Sequence, residues 1–198
     1  MLLNRYQEET PECGIDEAGR GCLAGPVTAA AVILPDDIEP GIINDSKQLT
    51  AEQRKDMTAL IKEKAISYGI AHVSPEKIDE MNILQASILA MHLALGKLEQ
   101  QPAFISVDGN KFNTYRDVPH ACLIKGDGKY LNIAAASILA KKSRDDYMLS
   151  LHDEYPAYNW RKNKGYPTQE HIKAIELHGK NIHHRKSFQL KRQLKISF

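Results

Sequence analysis

The run at residues 27–34 contains only small, β-branched and aliphatic side chains and is ended by Pro35. A continuous run of this kind, without alternation of polar and apolar residues, is typical of a strand that is buried on both faces. Such a strand must be covered by helices on both sides of its sheet. Helical periodicity at residues 51–67, 82–100 and 132–152 supplies the candidates. The sequence therefore predicts an α/β fold in which helices flank both faces of a mixed β-sheet.

Further strands are predicted where short apolar segments occur, at residues 13–16, 68–73, 103–108 and 121–125. Thr50 followed by Gln53 is typical of a capping box at the start of the first helix. Ser74 followed by Pro75 should start another helical turn, with proline at its preferred first position. Thr168 should cap the last helix.

The net charge of +1 conceals a strong asymmetry along the chain. Residues 158–198 carry a net charge of +8, whereas residues 1–157 carry −7. The basic end suggests a polyanionic partner, and the acidic body suggests that some carboxylates bind metal cations. The alternative is a solvated basic helix beside an ordinary acidic surface. We expect a single domain over residues 1–198, with a core at about 13–155 and a basic helical segment and tail at about 156–198.

Location and redox chemistry are constrained by what the sequence contains. It has no apolar run of about 18 residues, so no membrane span is predicted. The first residues are polar and acidic, unlike a signal peptide, so we expect a cytoplasmic protein. Cys13, Cys22 and Cys122 form no CxxC pair, which argues against a disulfide framework and against a zinc site. Nothing suggests an oligomer, and we expect a monomer.

Acidic residues follow two of the predicted strands. Asp16 and Glu17 come at the end of the first strand, and Asp108 ends the strand at 103–108. Strand ends at the edge of a sheet are where α/β proteins usually place their sites. Adjacent acids on an extended segment point to opposite faces, so Asp16 and Glu17 can converge only if the chain bends. Asp127, in a glycine-flanked loop, is a fourth candidate, and Asp145 is a weaker one.

Clustered carboxylates repel one another, and cations that neutralise them favour their charged forms. Ligands that offer only oxygen suit Mg²⁺ or Mn²⁺. Two such ions about 4 Å apart can activate a water molecule and stabilise the leaving oxygen of a phosphodiester. The alternative is that each acid merely caps a turn, and spacing alone does not decide between them.

Seven segments carry a more specific pattern. They are residues 14–27 (GIDEAGRGCLAGPV), 44–49 (NDSKQL), 107–110 (VDGN), 125–127 (KGD), 135–145 (AASILAKKSRD), 164–168 (KGYPT) and 184–188 (HRKSF). In this order they resemble the ribonuclease HII family, over about residues 13–188. Two departures are visible: Cys22 stands where that family usually has proline, and Lys142-Ser143 replaces a more common Val-Thr. Neither belongs to the proposed metal ligands. The related ribonuclease HIII family has an extra N-terminal domain, for which an acid at position 16 is expected to leave no room.

The resemblance implies a single catalytic domain with an RNase H-like fold. It implies hydrolysis of an RNA strand paired with DNA, including at a lone ribonucleotide within duplex DNA. It also implies a site of four acids that uses Mg²⁺ or Mn²⁺, namely Asp16, Glu17, Asp108 and Asp127. These substrates are the expected nucleic-acid partners, and only the 2′-hydroxyl distinguishes RNA from DNA at one sugar.

The same resemblance assigns substrate-binding residues. The backbone of Gly19-Arg20-Gly21 and the ring of Tyr166 are expected to recognise the ribose, because glycines permit close approach. Taken alone, Tyr166 would be a half-buried packing residue. Further expected contacts to the duplex are Ser46 and Lys47, and for the phosphates Arg161, Lys162, Lys164, Arg185 and Lys186.

Two other functions share some of these features. A junction resolvase of the same fold would use the acids without needing the 2′-hydroxyl. A non-catalytic nucleic-acid-binding module would use only the basic end.

The tail offers one more hypothesis. Gln193, Ile196 and Phe198 are spaced like the short peptides that bind the bacterial sliding clamp. The alternatives are that Ile196 and Phe198 pack back onto the domain, or that the tail has no partner.

Overall fold

The computed structural model describes residues 2–8, 10–38, 43 and 50–189. Its sheet has five strands in the order β3-β2-β1-β4-β5. The strands are β1 (Glu12–Ala18), β2 (Val27–Ile33), β3 (Ser67–Val73), β4 (Phe104–Asp108) and β5 (His120–Leu123). The helices are α1 (Ala51–Lys64), α2 (Pro75–Met81), α3 (Ile83–Leu95), α4 (Leu131–Glu154), α5 (Trp160–Asn163) and α6 (Gln169–His178). The predicted α/β fold with a mixed sheet is confirmed.

The central strand β1 has one neighbour of each orientation. It runs antiparallel to β2, with Asp16 opposite Ala30, and parallel to β4, with Ile15 opposite Val107. The carboxyl ends of two parallel neighbours meet at the same edge of a sheet. The end of β1 and Asp108 at the end of β4 therefore lie at one edge.

Both faces of β2 are buried, as its sequence predicts. Ala29 and Ala31 pack into a core cluster with residues of α3, such as Ala90. Ala30 and Val32 pack into a second cluster with residues of α4 and α1. The small side chains let the helices approach closely, and the two-sided cover explains why the run shows no polar alternation.

Helix α4 lies unusually close to β1. A Cβ atom added to Gly14 would lie 2.2 Å from the backbone carbon of Asn132, so this approach requires glycine. The Asn132 side chain accepts a hydrogen bond of 2.9 Å from the Leu34 N–H and donates one of 3.2 Å to the Glu12 carbonyl. The first turn of α4 is thereby fixed to β1 and to the residue that follows β2, which helps to set the position of the helix over the sheet.

Most helix ends follow the sequence signals. The capping box of Thr50 and Gln53 is present, and Thr168 caps α6. The prediction for residues 82–100 was wrong at its end, because α3 stops at Leu95. Gly96 follows directly, and glycine is a poor helix former.

The segment after α4 folds back onto the start of the chain. Trp160 is fully buried and stacks on Tyr158, with ring centroids 5.1 Å apart. Both lie in a third cluster with Leu23 and Met148. No described helix is long and apolar enough to cross a membrane. Ser46, Lys47 and the tail from residue 190 lie outside the described residues.

Candidate active site

Three of the predicted acids interact at the edge where β1 and β4 end. The side chains of Asp16 and Asp108 repel one another electrostatically, and so do those of Glu17 and Asp108. Strands β1 and β4 are far apart in the sequence but pair as parallel neighbours in the sheet. The sheet thus brings together acids that are about ninety positions apart in sequence.

Asp16 is the most deeply placed of these acids. It is 6% exposed. Burial raises its pKa well above the ordinary value, and the negative charges of Glu17 and Asp108 raise it further. A hydrogen bond with Ser137 on α4 acts in the opposite direction. A buried carboxyl with this balance would be neutral more often than usual unless a cation favours its charged form.

Glu17 has a different environment. Burial raises its pKa, and the nearby guanidinium of Arg20 lowers it. Arg20 Nη1 lies 3.1 Å from Glu17 Oε1. The charge of Asp108 raises the pKa of Glu17 again. Arg20 is half exposed, so this pair can open to solvent or to a ligand at modest cost.

Asp127 lies in a short 3₁₀ turn (Gly126–Gly128) just before α4 and is buried. The backbone N–H of Gly126 donates a hydrogen bond of 2.7 Å to Asp108 Oδ1. A Cβ on Gly126 would lie 2.7 Å from Cδ1 of Ile133, so a larger residue here would require that side chain to shift. The loop of the fourth acid is therefore tied directly to the third.

The chain does not bend between Asp16 and Glu17, which was the condition for these adjacent acids to converge. Strand β1 keeps regular pairing with β2 through Ala18, and the glycines come only after it. The two acids lie opposite Ala30 and Ala29, which belong to the clusters on opposite faces of the sheet. Within the described part of the chain, no three His, Cys, Asp or Glu side chains converge closely enough to ligate one ion as they stand.

The loop after β1 has two glycines with different surroundings. Gly19 has φ +92°, and a Cβ there would lie 2.0 Å from Arg144 Nε, so only glycine fits. Around Gly21, no described atom lies within 4 Å of where a Cβ would be. Packing inside the protein explains Gly19 but not Gly21, whose open face is accessible to a ligand.

Tyr166 lies next to this loop and is 40% exposed. The Arg144 guanidinium lies over its ring, 5.7 Å from the centroid. Burial, followed by the neighbouring thiol of Cys22, raises the pKa of Tyr166. Cys22, one of the two departures from the family pattern, therefore lies beside a predicted substrate residue.

The prediction that Arg185 contacts phosphate was wrong. Its side chain is fully buried. Nη2 donates to the Gly19 carbonyl at 2.7 Å and Nη1 to the Arg20 carbonyl at 2.8 Å. Nε and Nη2 donate to the Gly25 carbonyl at 3.1 and 3.0 Å. A guanidinium engaged with backbone carbonyls in the interior cannot reach a duplex, so it organises the loop instead.

The other predicted basic residues lie nearer the surface. Lys162 and Lys186 are exposed. Arg161 is paired with Asp153, with Nη2 3.2 Å from Oδ1. Lys164 is half buried and its ammonium donates to the Arg161 carbonyl. Burial lowers the pKa of Lys164.

Sequence reasoning assigned no individual role to Ser137 or Arg144. Both are on α4 and both are buried. They are seven positions apart, which places them on the same helix face. Polar residues on a helix face that is otherwise small and apolar suggest contacts with the site, and this pattern is visible in the sequence.

Comparison with known proteins places these features in context. The family model for ribonuclease HII matches residues 13–192. The chain is 58% identical over 198 residues to a ribonuclease HII from Christiangramia forsetii, covering 100% of both chains. Its fold is similar to the ribonuclease H2 from Pyrococcus horikoshii, with a TM-score of 0.78, 26% identity and coverage of 90% and 94%. It is also similar in fold to a ribonuclease HII from Archaeoglobus fulgidus solved in complex with PCNA, with a TM-score of 0.75, 24% identity and coverage of 92% and 96%.

Proposed function

Because the chain belongs to the ribonuclease HII family and is an RNase H type endonuclease acting on RNA–DNA hybrids, we propose that it also incises duplex DNA at embedded ribonucleotides. The observation that carries this is the position of the acid cluster beside a loop with one open glycine and a half-exposed tyrosine. Such a site can hydrolyse a phosphodiester and distinguish one sugar from its neighbours.

The chemistry of the donors fits hard divalent cations. Asp16, Glu17, Asp108 and Asp127 offer oxygen atoms only, and burial raises the pKa of Asp16 and Glu17, so a cation would relieve a cost already present. We propose that these four acids hold Mg²⁺ or Mn²⁺. Two bound ions would activate the attacking water and stabilise the leaving oxygen.

The protein's own residues have separate parts in this proposal. The four carboxylates bind in their charged forms, and Ser137 orients Asp16 by a hydrogen bond. Since the acids do not converge tightly as they stand, their side chains must turn towards the bound cations. Arg20 can exchange its pairing with Glu17 for contact with the substrate.

The ribose would be recognised at the loop. Backbone groups of Gly19, Arg20 and Gly21 would approach the 2′-hydroxyl, and the Tyr166 ring would lie against the next sugar. Lys186 and Lys162 are exposed and suited to phosphates. Ser46 and Lys47, outside the described residues, keep their proposed duplex contacts. The proposed site is complete within one chain, which fits a monomer.

The tail carries a separate proposal. Gln193, Ile196 and Phe198 would bind the sliding clamp, with the aliphatic and aromatic side chains as apolar anchors. The spacing of these residues is the support for it.

The experiment that tests the main proposal uses a DNA duplex with one internal ribonucleotide, with Mg²⁺ present. Cleavage at the ribonucleotide, with a matched all-DNA duplex left intact, is the expected result. Cleavage of a continuous hybrid alone would contradict incision at single ribonucleotides. Cleavage of the all-DNA duplex would contradict recognition of the 2′-hydroxyl.

A further inference from the structure

We propose that Arg144 and Arg185 are positioning residues that clamp the loop at residues 19–26 to Tyr166, and so hold the ribose-recognising surface in its working shape. The inference rests on the proposed function of that loop and that tyrosine. It explains why two basic residues are buried here, which neither phosphate binding nor ordinary core packing does.

Arg185 holds the beginning and the end of the loop with one side chain. Its guanidinium donates to the carbonyls of Gly19 and Arg20 and also to that of Gly25. Hydrogen bonds from a charged donor are stronger than neutral ones, and more so away from water. Burial lowers the pKa of Arg185 to about 10, so the side chain stays charged at neutral pH. Both ends of the loop are therefore held by the charged guanidinium of Arg185.

Arg144 holds the rest of the loop and connects it to Tyr166. Its Nε donates to the Pro26 carbonyl at 2.9 Å and its Nη2 to the Ala24 carbonyl at 3.0 Å. Its Nη1 donates to the Lys164 carbonyl at 2.9 Å, two residues before Tyr166. The same guanidinium lies over the Tyr166 ring. One planar group thus fixes the spacing between the loop and the aromatic ring.

Backbone contacts complete the unit. The Leu23 N–H donates to the Gly165 carbonyl at 2.7 Å, and the Arg185 N–H donates to the Leu23 carbonyl at 2.8 Å. A Cβ on Gly165 would lie 2.5 Å from the Ala24 carbonyl oxygen, so the Tyr166 segment lies directly on the loop. The residues that would read the ribose therefore move as one body.

Lysine cannot substitute for either arginine here. A guanidinium offers five N–H donors in a rigid plane, whereas an ammonium is a point charge on a flexible stem. Replacing either arginine by lysine keeps the charge and loses the simultaneous contacts. The lysine variants therefore separate positioning from simple charge.

The test compares binding of two duplexes in an Asp108→Asn background with Mg²⁺, so that substrate is not cut. One duplex contains a single ribonucleotide and the other is all DNA. The Kd for the all-DNA duplex divided by the Kd for the ribonucleotide duplex measures ribose recognition. Arg144→Lys and Arg185→Lys should each lower this ratio roughly tenfold, the effect of one charge-assisted hydrogen bond. A variant that was merely less folded would bind both duplexes more weakly by the same factor and leave the ratio unchanged.

Arg54→Lys is the matched control. Arg54 is also buried, on α1, and its ion pair is with Asp145 at 3.9 Å, away from the loop carbonyls. Its replacement should leave the ratio at the parent value. Suppose that Tyr166→Ala lowers the ratio while both lysine variants stay folded and have the parent ratio. The positioning role of the two arginines is then overturned, and the proposed function stands. If the parent protein shows no ribose preference, the proposed function fails and the clamp with it.

Hydrogen exchange on the unsubstituted protein gives an independent answer even if the variants do not fold. The Gly25 N–H donates to the His183 carbonyl at 2.8 Å, as the Leu23 N–H does to that of Gly165. A preformed clamp predicts that both amides are protected before substrate is added, with little further protection on binding. Rapid exchange in the free protein, followed by protection only with the single-ribonucleotide duplex, would show that substrate shapes the loop and would overturn the proposal.

Discussion

The Asp108 carboxylate accepts a hydrogen bond of 2.7 Å from the backbone N–H of Gly126. This contact links the end of β4 to the 3₁₀ turn that carries Asp127. One oxygen of Asp108 is therefore held by the protein, while the carboxylate also repels Asp16 and Glu17. The Gly126 N–H thus connects the third acid to the turn that carries the fourth.

Replacing Asp108 by asparagine should reduce cleavage by more than about a hundredfold, because loss of an outer partner alone can cost up to that factor. The amide oxygen can still accept from Gly126, so the fold and duplex binding should persist. Cleavage rate at saturating Mg²⁺, with a thermal melt, measures both. Asp146→Asn, at an exposed residue paired with Lys142, is the control and should cleave normally. Near-normal cleavage by folded Asp108→Asn would refute the assignment.

The metal-free protein should lose stability as pH rises from about 3.8 towards 8, to an extent set by Asp16. The pKa of Asp16 is raised in the folded state, so the unfolded chain ionises first, near 3.8, and is favoured as pH rises through the folded value. Asp16→Asn removes this term and should be more stable at pH 8, by about 1.4 kcal/mol for each tenfold change in the acid constant.

Thermal melts in EDTA across that pH range check the difference between the two proteins. Adding Mg²⁺ should stabilise the unsubstituted protein more than Asp16→Asn, because the cation favours the charged carboxylates. Parallel pH profiles with and without the substitution would show that burial of Asp16 carries no such cost.

Tyr166→Ala should slow cleavage at a single ribonucleotide by roughly tenfold or more, because a positioning surface is lost. Tyr166→Phe should be milder if the ring matters more than the hydroxyl, which neighbours Cys22. Steady-state kinetics on the single-ribonucleotide duplex measure both variants. Unchanged kinetics for Tyr166→Ala would return this residue to a packing role.

Replacing Lys162 and Lys186 by alanine should weaken duplex binding irrespective of sequence. Each lost phosphate contact should reduce the log–log salt slope by about 0.9. Fluorescence anisotropy titrations over a range of salt concentrations give the slope. Lys55→Ala, at an exposed lysine of α1, should change neither affinity nor slope. An unaltered slope for the double variant would make these lysines solubilising charges only.

Removing the tail should abolish clamp binding and leave nuclease activity intact. Calorimetric titration of the sliding clamp of the same organism with the full chain, and with a chain ending at Lys191, tests this. Equal affinity for the two chains, or no binding by either at micromolar concentration, would reject the clamp proposal alone.

The fold could be predicted largely because its strongest signals are local. The apolar run of β2 shows two-sided burial without any tertiary information, and the capping box of Thr50 depends on residues three positions apart. The end of α3 was mispredicted, since hydrophobic periodicity continues past Leu95 although Gly96 follows there. Periodicity reports which face is buried and says little about where a helix stops.

The site was predictable only in part, for the opposite reason. Strand ends and a glycine-flanked loop indicated the candidate acids, and the family resemblance selected four of them. Their meeting depends on the pairing of β1 with β4, which no local pattern specifies. Arg185 was misassigned because an arginine in a basic segment is usually exposed. Its burial follows from loop carbonyls at Gly19 and Gly25, which the sequence does not show to be turned inward.

The contact between Arg185 and Gly19 joins positions 166 residues apart. During synthesis on a ribosome, the loop after β1 is made early but lacks this guanidinium until residue 185 has been added. A chain that stops before residue 185 has Asp16 and Glu17 but lacks the side chain that holds the Gly19 carbonyl. The loop therefore takes its observed shape late in folding, although its own sequence is among the first to be made.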